Sequence, residues 1–315
     1  MLMKGKKILV TGGAGFIGSH IVDKLISLDA KVVVLDNLVT GKLENIKHNL
    51  KKIKFIQKDL TDDKALEQAL EGVEFISHQA ALRSVPKSLK EPLEYYRVNA
   101  TGTLKLFLKA RQKRIKRIVF ASSSSVYGQK VSFPEKENDS LEPISPYALT
   151  KLIGEYYGSI FYKLYNLEVV SLRYFNVFGP RQSLESEYAV VIPKFINCLL
   201  KGEKPPIYGD GDQERDFVYI DNVVKANILA LIGQKAAGHI FNIAGSNPKS
   251  INKLLGDLNK ILAKDTKARY LKERSGDVRK TYADISKAKR LLGWKPKVDF
   301  YQGLVKTVNW FKERL

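Results

Sequence analysis

Apolar residues fall in short continuous runs, separated by amphipathic stretches, through the first half of the chain. The runs Lys7–Thr11, Lys31–Leu35, Ile53–Lys58, Phe75–His78, Arg117–Ala121 and Val169–Leu172 have the length and β-branched content of strands. Centres such as Ile8-Leu9-Val10 and Val32-Val33-Val34 are apolar at every position, the pattern of a sheet covered on both faces. Between these runs, Gly15–Leu28, Asp63–Leu70, Asn99–Arg111 and Pro146–Tyr165 carry helical periodicity. Strands alternating with helices of this length predict βαβ units and an α/β fold built on a parallel, doubly wound sheet. After about Asn176 the rhythm loosens, and Gly179-Pro180, Pro205-Pro206, Gly209 and Gly211 punctuate the chain. A smaller C-terminal α/β region is expected there, packed against the strand ends, with one later strand, His239–Ile243, returning to the sheet.

Composition narrows the class without naming an activity. A chain of 315 residues, 44% hydrophobic and 27% charged, describes an ordinary globular protein with a sizeable core. No run of eighteen apolar residues occurs, and the lysine-bearing start has no long apolar stretch before the first strand. Neither a membrane partner nor a signal peptide is expected, and the cytoplasm is the default location. The single cysteine, Cys198, lies in an apolar run and reads as a buried spectator. No metal site is expected. The net charge of +20 admits nucleic acid, a membrane surface or an anionic small substrate. The lysines are spread along the whole chain without a basic tail, so a solvated surface that mildly attracts anions is the expectation, with no nucleic-acid partner.

Thr11-Gly12-Gly13-Ala14-Gly15-Phe16-Ile17-Gly18 follows the first strand and opens the first helix. Gly12, Gly15 and Gly18 supply a tight turn, close approach to a pyrophosphate and close helix–strand packing, the Rossmann-type arrangement. Asp36 ends the next strand, eighteen residues after Gly18. A carboxylate there accepts ribose hydroxyls and repels a 2′-phosphate, and no arginine follows in Asp36–Thr40, so NAD is favoured over NADP. Asp59-Leu60 after the third strand and Gln79-Ala80-Ala81 after the fourth fall at successive strand ends, where such sheets bind ligands.

Tyr147 and Lys151 stand four residues apart, and Tyr147 is the only one of the fifteen tyrosines with a lysine at that spacing. On a helix the two share a face. A phenol acting as a base near pH 7 needs its pKa lowered by roughly 3 units, or about 4 kcal/mol. One unit charge about 5 Å away, at an effective dielectric of about 20, supplies roughly 3 kcal/mol. Ser122-Ser123-Ser124-Ser125 follows the fifth strand, where a hydroxyl can hold a substrate oxygen and pass its proton toward Tyr147.

The glycine turn, Asp36, Asn99, the serine run with Val126-Tyr127-Gly128, and Tyr147–Lys151 together resemble the extended short-chain dehydrogenase/reductase family, from Lys6 to about Pro296. Arg173–Arg181, Tyr208-Gly209-Asp210-Gly211, Arg215-Asp216-Phe217 and Arg274-Ser275-Gly276-Asp277 look like the substrate motifs of its nucleotide-sugar 4-epimerases. The resemblance implies an isomerase with tightly held NAD. Residues 1–176 would form the NAD-binding domain, and 177–315 would be mainly substrate-binding. Tyr147 would take the proton of the sugar 4-hydroxyl, and Lys151 would lower its pKa and hold the nicotinamide ribose. Ser123 would bridge the 4-oxygen and Tyr147, with Ser124 next in line. Gly12, Gly15, Phe16, Ile17, Gly18, Asp36, Asn37, Thr40 and Gly41 would contact the cofactor. So would Asp59, Leu60, Ala80, Ala81, Arg83, Asn99, Ser122 and Tyr174. Ser84, Asn176, Val191, Tyr208, Arg215, Arg274, Asp277 and Thr281 would meet the UDP-sugar.

Ser124 and Ser125 stand where 4,6-dehydratases of this family carry an acidic pair, which argues against dehydration. Thr281 matches the position beside the sugar C2 group and is small enough to admit an N-acetyl group. Phe178, Arg181-Gln182 and Tyr188–Pro193 also look like the subgroup acting on N-acetylated UDP-hexosamines. UDP-N-acetylglucosamine is therefore the expected substrate, with UDP-glucose as a second. A uronic-acid substrate stays open because Arg83, Arg181 or the serine run could meet a carboxylate. A net nucleotide-sugar oxidoreductase and a Rossmann-fold nucleic-acid binder are the other classes weighed. The resemblance also implies a homodimer, with Asn99–Arg111 and Pro146–Tyr165 forming a shared helical bundle.

Overall fold

The computed structural model describes residues 3–130, 132–183, 191–273 and 278–314. Among the described residues, seven strands form the central sheet: β1 (Lys7–Thr11), β2 (Lys31–Asp36), β3 (Ile53–Gln57), β4 (Phe75–His78), β5 (Arg117–Ser123), β6 (Glu168–Tyr174) and β7 (Ile240–Ile243). Their order is β7-β6-β5-β4-β1-β2-β3, and every pairing is parallel. The chain runs outward from β1 through β2 to β3, then returns to the other side of β1 with β4. The sheet order therefore reverses between β1 and β4, and the connections leaving those two strand ends diverge to open a crevice.

Alternation along the buried strands builds two cores. Ile8, Val10 and Val34 face one side, where the helices Phe16–Ser27 and Ile220–Ile232 pack with Ile21, Leu25 and Val223. Leu9, Val33, Ile76 and Phe120 face the other, against Leu66 and Leu70, Leu106 and Phe107, and Phe161 of three further helices. Cys198 is buried. Among the described residues no helix is long and apolar enough to cross a membrane.

Two elements depart from the hydrophobic pattern. β5 continues beyond Ala121 through Ser122 and Ser123, which pair with Arg173 and Tyr174 of β6. The first two serines are thus strand residues, not loop residues as their polarity predicted. Parallel pairing satisfies their backbone groups and tertiary contacts satisfy the Ser122 hydroxyl, so polarity does not end the strand. The helix expected from Asn99 begins regular α-geometry only at Gly102, after a π-helical turn over Tyr96–Thr101. Asn99, inside that turn, donates to Leu82 O at 2.9 Å and accepts from Leu82 N at 2.8 Å. Such wide turns recur where a side chain is turned toward a site.

Beyond β6, Asn176–Phe178 pairs with Phe217–Tyr219, Pro206–Tyr208 with Arg269–Leu271, and Glu214–Arg215 with Lys249–Ser250. Phe178, Phe217, Tyr219 and Phe300 form an aromatic cluster beneath these pairs, with ring centroids 5.3–6.1 Å apart. The cluster holds the small region over the C-terminal ends of the main strands.

Candidate active site

The glycine turn shapes the floor of the crevice. Gly12 has φ +66°, and a Cβ there would stand 2.7 Å from Ala80 N on the next loop. A Cβ on Gly18 would collide with the Gly12 carbonyl oxygen. No side chain caps the helix that Gly15 starts, so its first-turn N–H groups are free for an anion. The resulting cleft holds about 440 Å³. Gly12, Gly15, Phe16, Ile17, Gly18, Asp36, Asn37 and Thr40 line it from the β1 and β2 ends. Asp59, Leu60, Ala80, Ala81, Arg83, Ser122, Tyr147, Lys151 and Tyr174 line the remainder.

Asp36 is nearly buried. Its Oδ2 accepts Ala14 N at 2.9 Å and its Oδ1 accepts Leu38 N at 2.8 Å, while burial pushes the carboxyl pKa up. Each oxygen keeps a further lone pair for a ribose hydroxyl. Gly41 packs against that carboxylate, where a Cβ would lie 2.8 Å from Oδ1. Asn99 sits behind the cleft, tying the Leu82 loop to Thr150 at 3.2 Å, and Thr150 in turn donates to Tyr147 O at 2.8 Å. These residues fit a dinucleotide: a glycine cradle with no room for side chains, open helix N–H groups, and a carboxylate where an adenosine ribose would lie.

Tyr147 and Lys151 stand on the first turns of the Pro146–Tyr165 helix, whose N-terminus Ser145 caps by accepting Ala148 N at 3.2 Å. The Lys151 Nζ donates to Ala121 O of β5 at 2.8 Å and lies 6.0 Å from the Tyr147 ring centroid. Burial brings the Lys151 pKa down to about 7. The expectation that Lys151 pulls the phenol down to neutral pH is corrected here. Burial dominates and pushes the Tyr147 pKa up, opposed by a hydrogen bond with Ser123 and by the charge of Arg83. A desolvated amine with a pKa of about 7 is only about half charged at neutral pH, so it supplies only part of the Coulomb term on which that expectation rested.

Ser123 is set for its contact with Tyr147. Its Oγ accepts both the Ser125 backbone N–H at 3.2 Å and the Ser125 hydroxyl at 2.9 Å, so its own proton is free to point elsewhere. Ser124 opens the short 3-10 turn that follows. Ser122 lies along the cleft wall, but its hydroxyl turns inward to Glu155.

A second cavity of about 310 Å³ opens beside the first. Asn176, Val191, Tyr208 and Arg215 line it, together with Phe178, Gln182, Lys194 and Gln213. Thr281 donates to Asn176 Oδ1 at 3.2 Å and accepts Asp216 N at 3.0 Å. Ser84 caps the Val85–Lys90 helix by accepting Lys87 N at 3.2 Å. Arg274 and Asp277, and Tyr188–Val190 of the stretch noted in the sequence, lie outside the described residues. Lys42, Arg97, Trp310, Phe311 and Arg314 also line the first cleft and were missed by motif reasoning. No local signal marks them: Trp310 and Phe311 sit in the last helix and reach the cleft only through the tertiary fold.

Comparison with known proteins agrees with this geometry. A family profile described as GDP-mannose 4,6 dehydratase matches residues 9–307. A UDP-N-acetylglucosamine 4-epimerase from Methanobrevibacter ruminantium, solved with UDP-N-acetylmuramic acid, is 45% identical over 99% of this chain and 100% of its own, with a TM-score of 0.95. The chain belongs to the extended short-chain dehydrogenase/reductase family, among its nucleotide-sugar 4-epimerases. This 4-epimerase fold is shared with a Thermotoga maritima UDP-glucose 4-epimerase solved with UDP-glucose, 40% identical over 98% of this chain and 99% of its own, TM-score 0.94. A Bacillus cereus UDP-glucuronic acid 4-epimerase, solved with UDP-glucuronic acid and NAD, is 34% identical over 98% of this chain and 100% of its own, TM-score 0.92. Relatives of this 4-epimerase therefore bear the names of three different sugar substrates on one scaffold.

Proposed function

We propose that this NAD-dependent 4-epimerase interconverts the C4 epimers of a UDP-N-acetylhexosamine, UDP-N-acetylglucosamine and UDP-N-acetylgalactosamine, with UDP-glucose and UDP-galactose as a second pair. The enzyme is an isomerase. NAD, when bound, accepts and returns the C4 hydride. Tyr147 takes the proton of the 4-hydroxyl while Ser123 holds the 4-oxygen, and Tyr147 gives the proton back after the 4-keto sugar has rotated. Lys151 orients the ribose end of the cofactor site from its seat on Ala121. Residues 1–176 with β7 would hold the dinucleotide and 177–315 mainly the UDP-sugar, with Arg215 and Arg274 on the diphosphate and Asp277 on the nucleotide's ribose.

The observation that carries the N-acetyl preference is Thr281. Its small side chain is buried and hydrogen-bonded to Asn176, which lines the second cavity, and would leave room beside the sugar C2 that an aromatic residue would fill. The 45% identity to a UDP-N-acetylglucosamine 4-epimerase supports the same reading. Purified protein, with no added nucleotide, is to be incubated with UDP-glucose, UDP-N-acetylglucosamine and UDP-glucuronate in turn and followed by NMR. Epimerisation of UDP-N-acetylglucosamine with the highest kcat/KM is expected. Faster turnover of UDP-glucuronate would overturn the substrate, and accumulation of NADH would overturn the isomerase cycle.

Leu93, Tyr96, Leu149, Tyr156, Ile160 and Leu164 are exposed on the Pro92–Thr101 segment and the Pro146–Tyr165 helix, up to 85% for Leu93. Such a continuous apolar face supports a homodimer through these helices. Light scattering should give twice the monomer mass, and Tyr156→Glu should halve it.

A further inference from the structure

Glu155 stands one turn beyond Lys151 on the catalytic helix and is 2% exposed, yet the chemistry described above does not use it. Its Oε1 accepts the Ser122 hydroxyl at 2.5 Å and Arg173 Nε at 2.9 Å, and its Oε2 accepts Arg173 Nη2 at 2.7 Å. Arg173, 1% exposed, belongs to β6, where it pairs in register with Ser122 of β5. One carboxylate thus joins three elements: the helix bearing Tyr147 and Lys151, the strand that ends in Ser123, and its neighbour in the sheet.

The enclosure continues around Arg173. Its guanidinium lies 4.8 Å from the Tyr127 ring centroid and its Nη1 donates to Glu137 O at 3.3 Å. The Tyr127 hydroxyl donates to Asn242 Oδ1 of β7 at 2.7 Å. A buried ion pair of this kind is poor at adding stability, because removing two charges from water costs about what their attraction returns. It is good at imposing one geometry, since a fork against a carboxylate has few alternatives.

Resting on the reading of Tyr147 as the base, we infer that Glu155 is a positioning residue for the reaction. It locks the strand end carrying Ser123 to the helix carrying Tyr147 and Lys151 through Ser122 and Arg173. Lys151 makes the adjacent tie, to Ala121, so consecutive residues of β5 are held by side chains one helical turn apart. With Ser122 turned inward to Glu155, the alternation along β5 turns Ser123 to the opposite side of the strand, where it is one of the groups that favour the Tyr147 phenolate.

The test separates positioning from folding by replacing the whole pair with apolar side chains of similar length, Glu155→Met with Arg173→Met, in the holoenzyme. A melting temperature near the parent's, full NAD content and a KM for UDP-sugar within about twofold are expected, because the second cavity is untouched. kcat should fall roughly 10- to 100-fold, the scale of a misplacement near 1 Å. The acid limb of the kcat–pH profile should move to higher pH, because a looser Ser123 gives less support to the Tyr147 anion. Glu155→Asp is the second variant: it keeps the charge opposite Arg173 but shortens the reach to Ser122, and the same loss of kcat with an intact fold is expected. Parent-like kcat and an unmoved pH profile in either folded variant would overturn the inference. Tyr147→Phe, measured alongside, tests the base itself, so that retained activity there marks failure of the functional reading instead.

Discussion

Replacing Lys151 with methionine should make the ligand-free protein more stable while abolishing turnover. The lysine is 5% exposed, and its pKa falls from 10.5 to about 7 through burial alone. A base whose folded pKa lies below its unfolded value binds fewer protons when folded, so it destabilises fully at pH values below about 7. The penalty shrinks as pH rises from about 7 toward 10.5. At pH 6 the charged form costs about 5 kcal/mol, from roughly 3.5 units at 1.36 kcal/mol each. At pH 9 the same linkage leaves about 2 kcal/mol. Methionine fills nearly the same volume without the charge but forfeits the hydrogen bond to Ala121 O, worth about 1 kcal/mol. The net gain should be about 4 kcal/mol at pH 6 and about 1 kcal/mol at pH 9. Urea unfolding of nucleotide-stripped parent and variant at the two pH values measures it. A variant no more stable than the parent at pH 6, or a gain that does not shrink by pH 9, would refute the argument. The lysine would then be carried at little cost and not strained into the site.

Gly18→Ala should leave the sheet intact and empty the cofactor cleft, because its Cβ meets the Gly12 carbonyl and stands 2.9 Å from Gly13 Cα; absorbance of nucleotide released on denaturation would report the loss. Glu135→Gln should stabilise the fold in alkaline solution. Burial raises the Glu135 pKa to about 7, with Asp216 adding to it, so ionisation penalises the folded state as pH rises through that value. The gain should be about 1 kcal/mol at pH 5 and about 3 kcal/mol at pH 8, read from thermal melts at each pH. Thr281→Tyr should lower kcat/KM for UDP-N-acetylglucosamine by roughly 10- to 100-fold, the cost of overpacking a filled site, while UDP-glucose turnover changes only a few-fold. Equal losses on both sugars would detach Thr281 from the C2 group.

The strand centres were legible because a sheet buried on both faces needs apolar residues at every position, and Ile8–Val10 and Val32–Val34 meet that demand without help from neighbours. The glycine turn was legible because only glycine admits the backbone approaches at Gly12 and Gly18. Ser122 and Ser123 were misread as loop residues. Their strand character comes from β6, about fifty residues later in the chain, and no local pattern carries that pairing. Glu155 gave no signal, since a glutamate within a helix looks like a surface residue until the fold closes over it, and Arg173, which opens a stretch resembling a substrate motif, is instead buried against Glu155.

The Tyr147–Lys151 spacing itself specified a shared helical face, because the helical repeat is a property of the backbone alone. What that face does electrostatically was decided by the tertiary structure. Packing against Phe120 and Ala121 desolvates the lysine, weakening the cation on which the spacing argument depended. The influences that favour the phenolate come instead from Ser123 and from the charge of Arg83, which only the folded chain brings near. Local sequence determines geometry that repeats along a backbone; charge states depend on which distant surfaces exclude water, and those are assembled only by the complete fold.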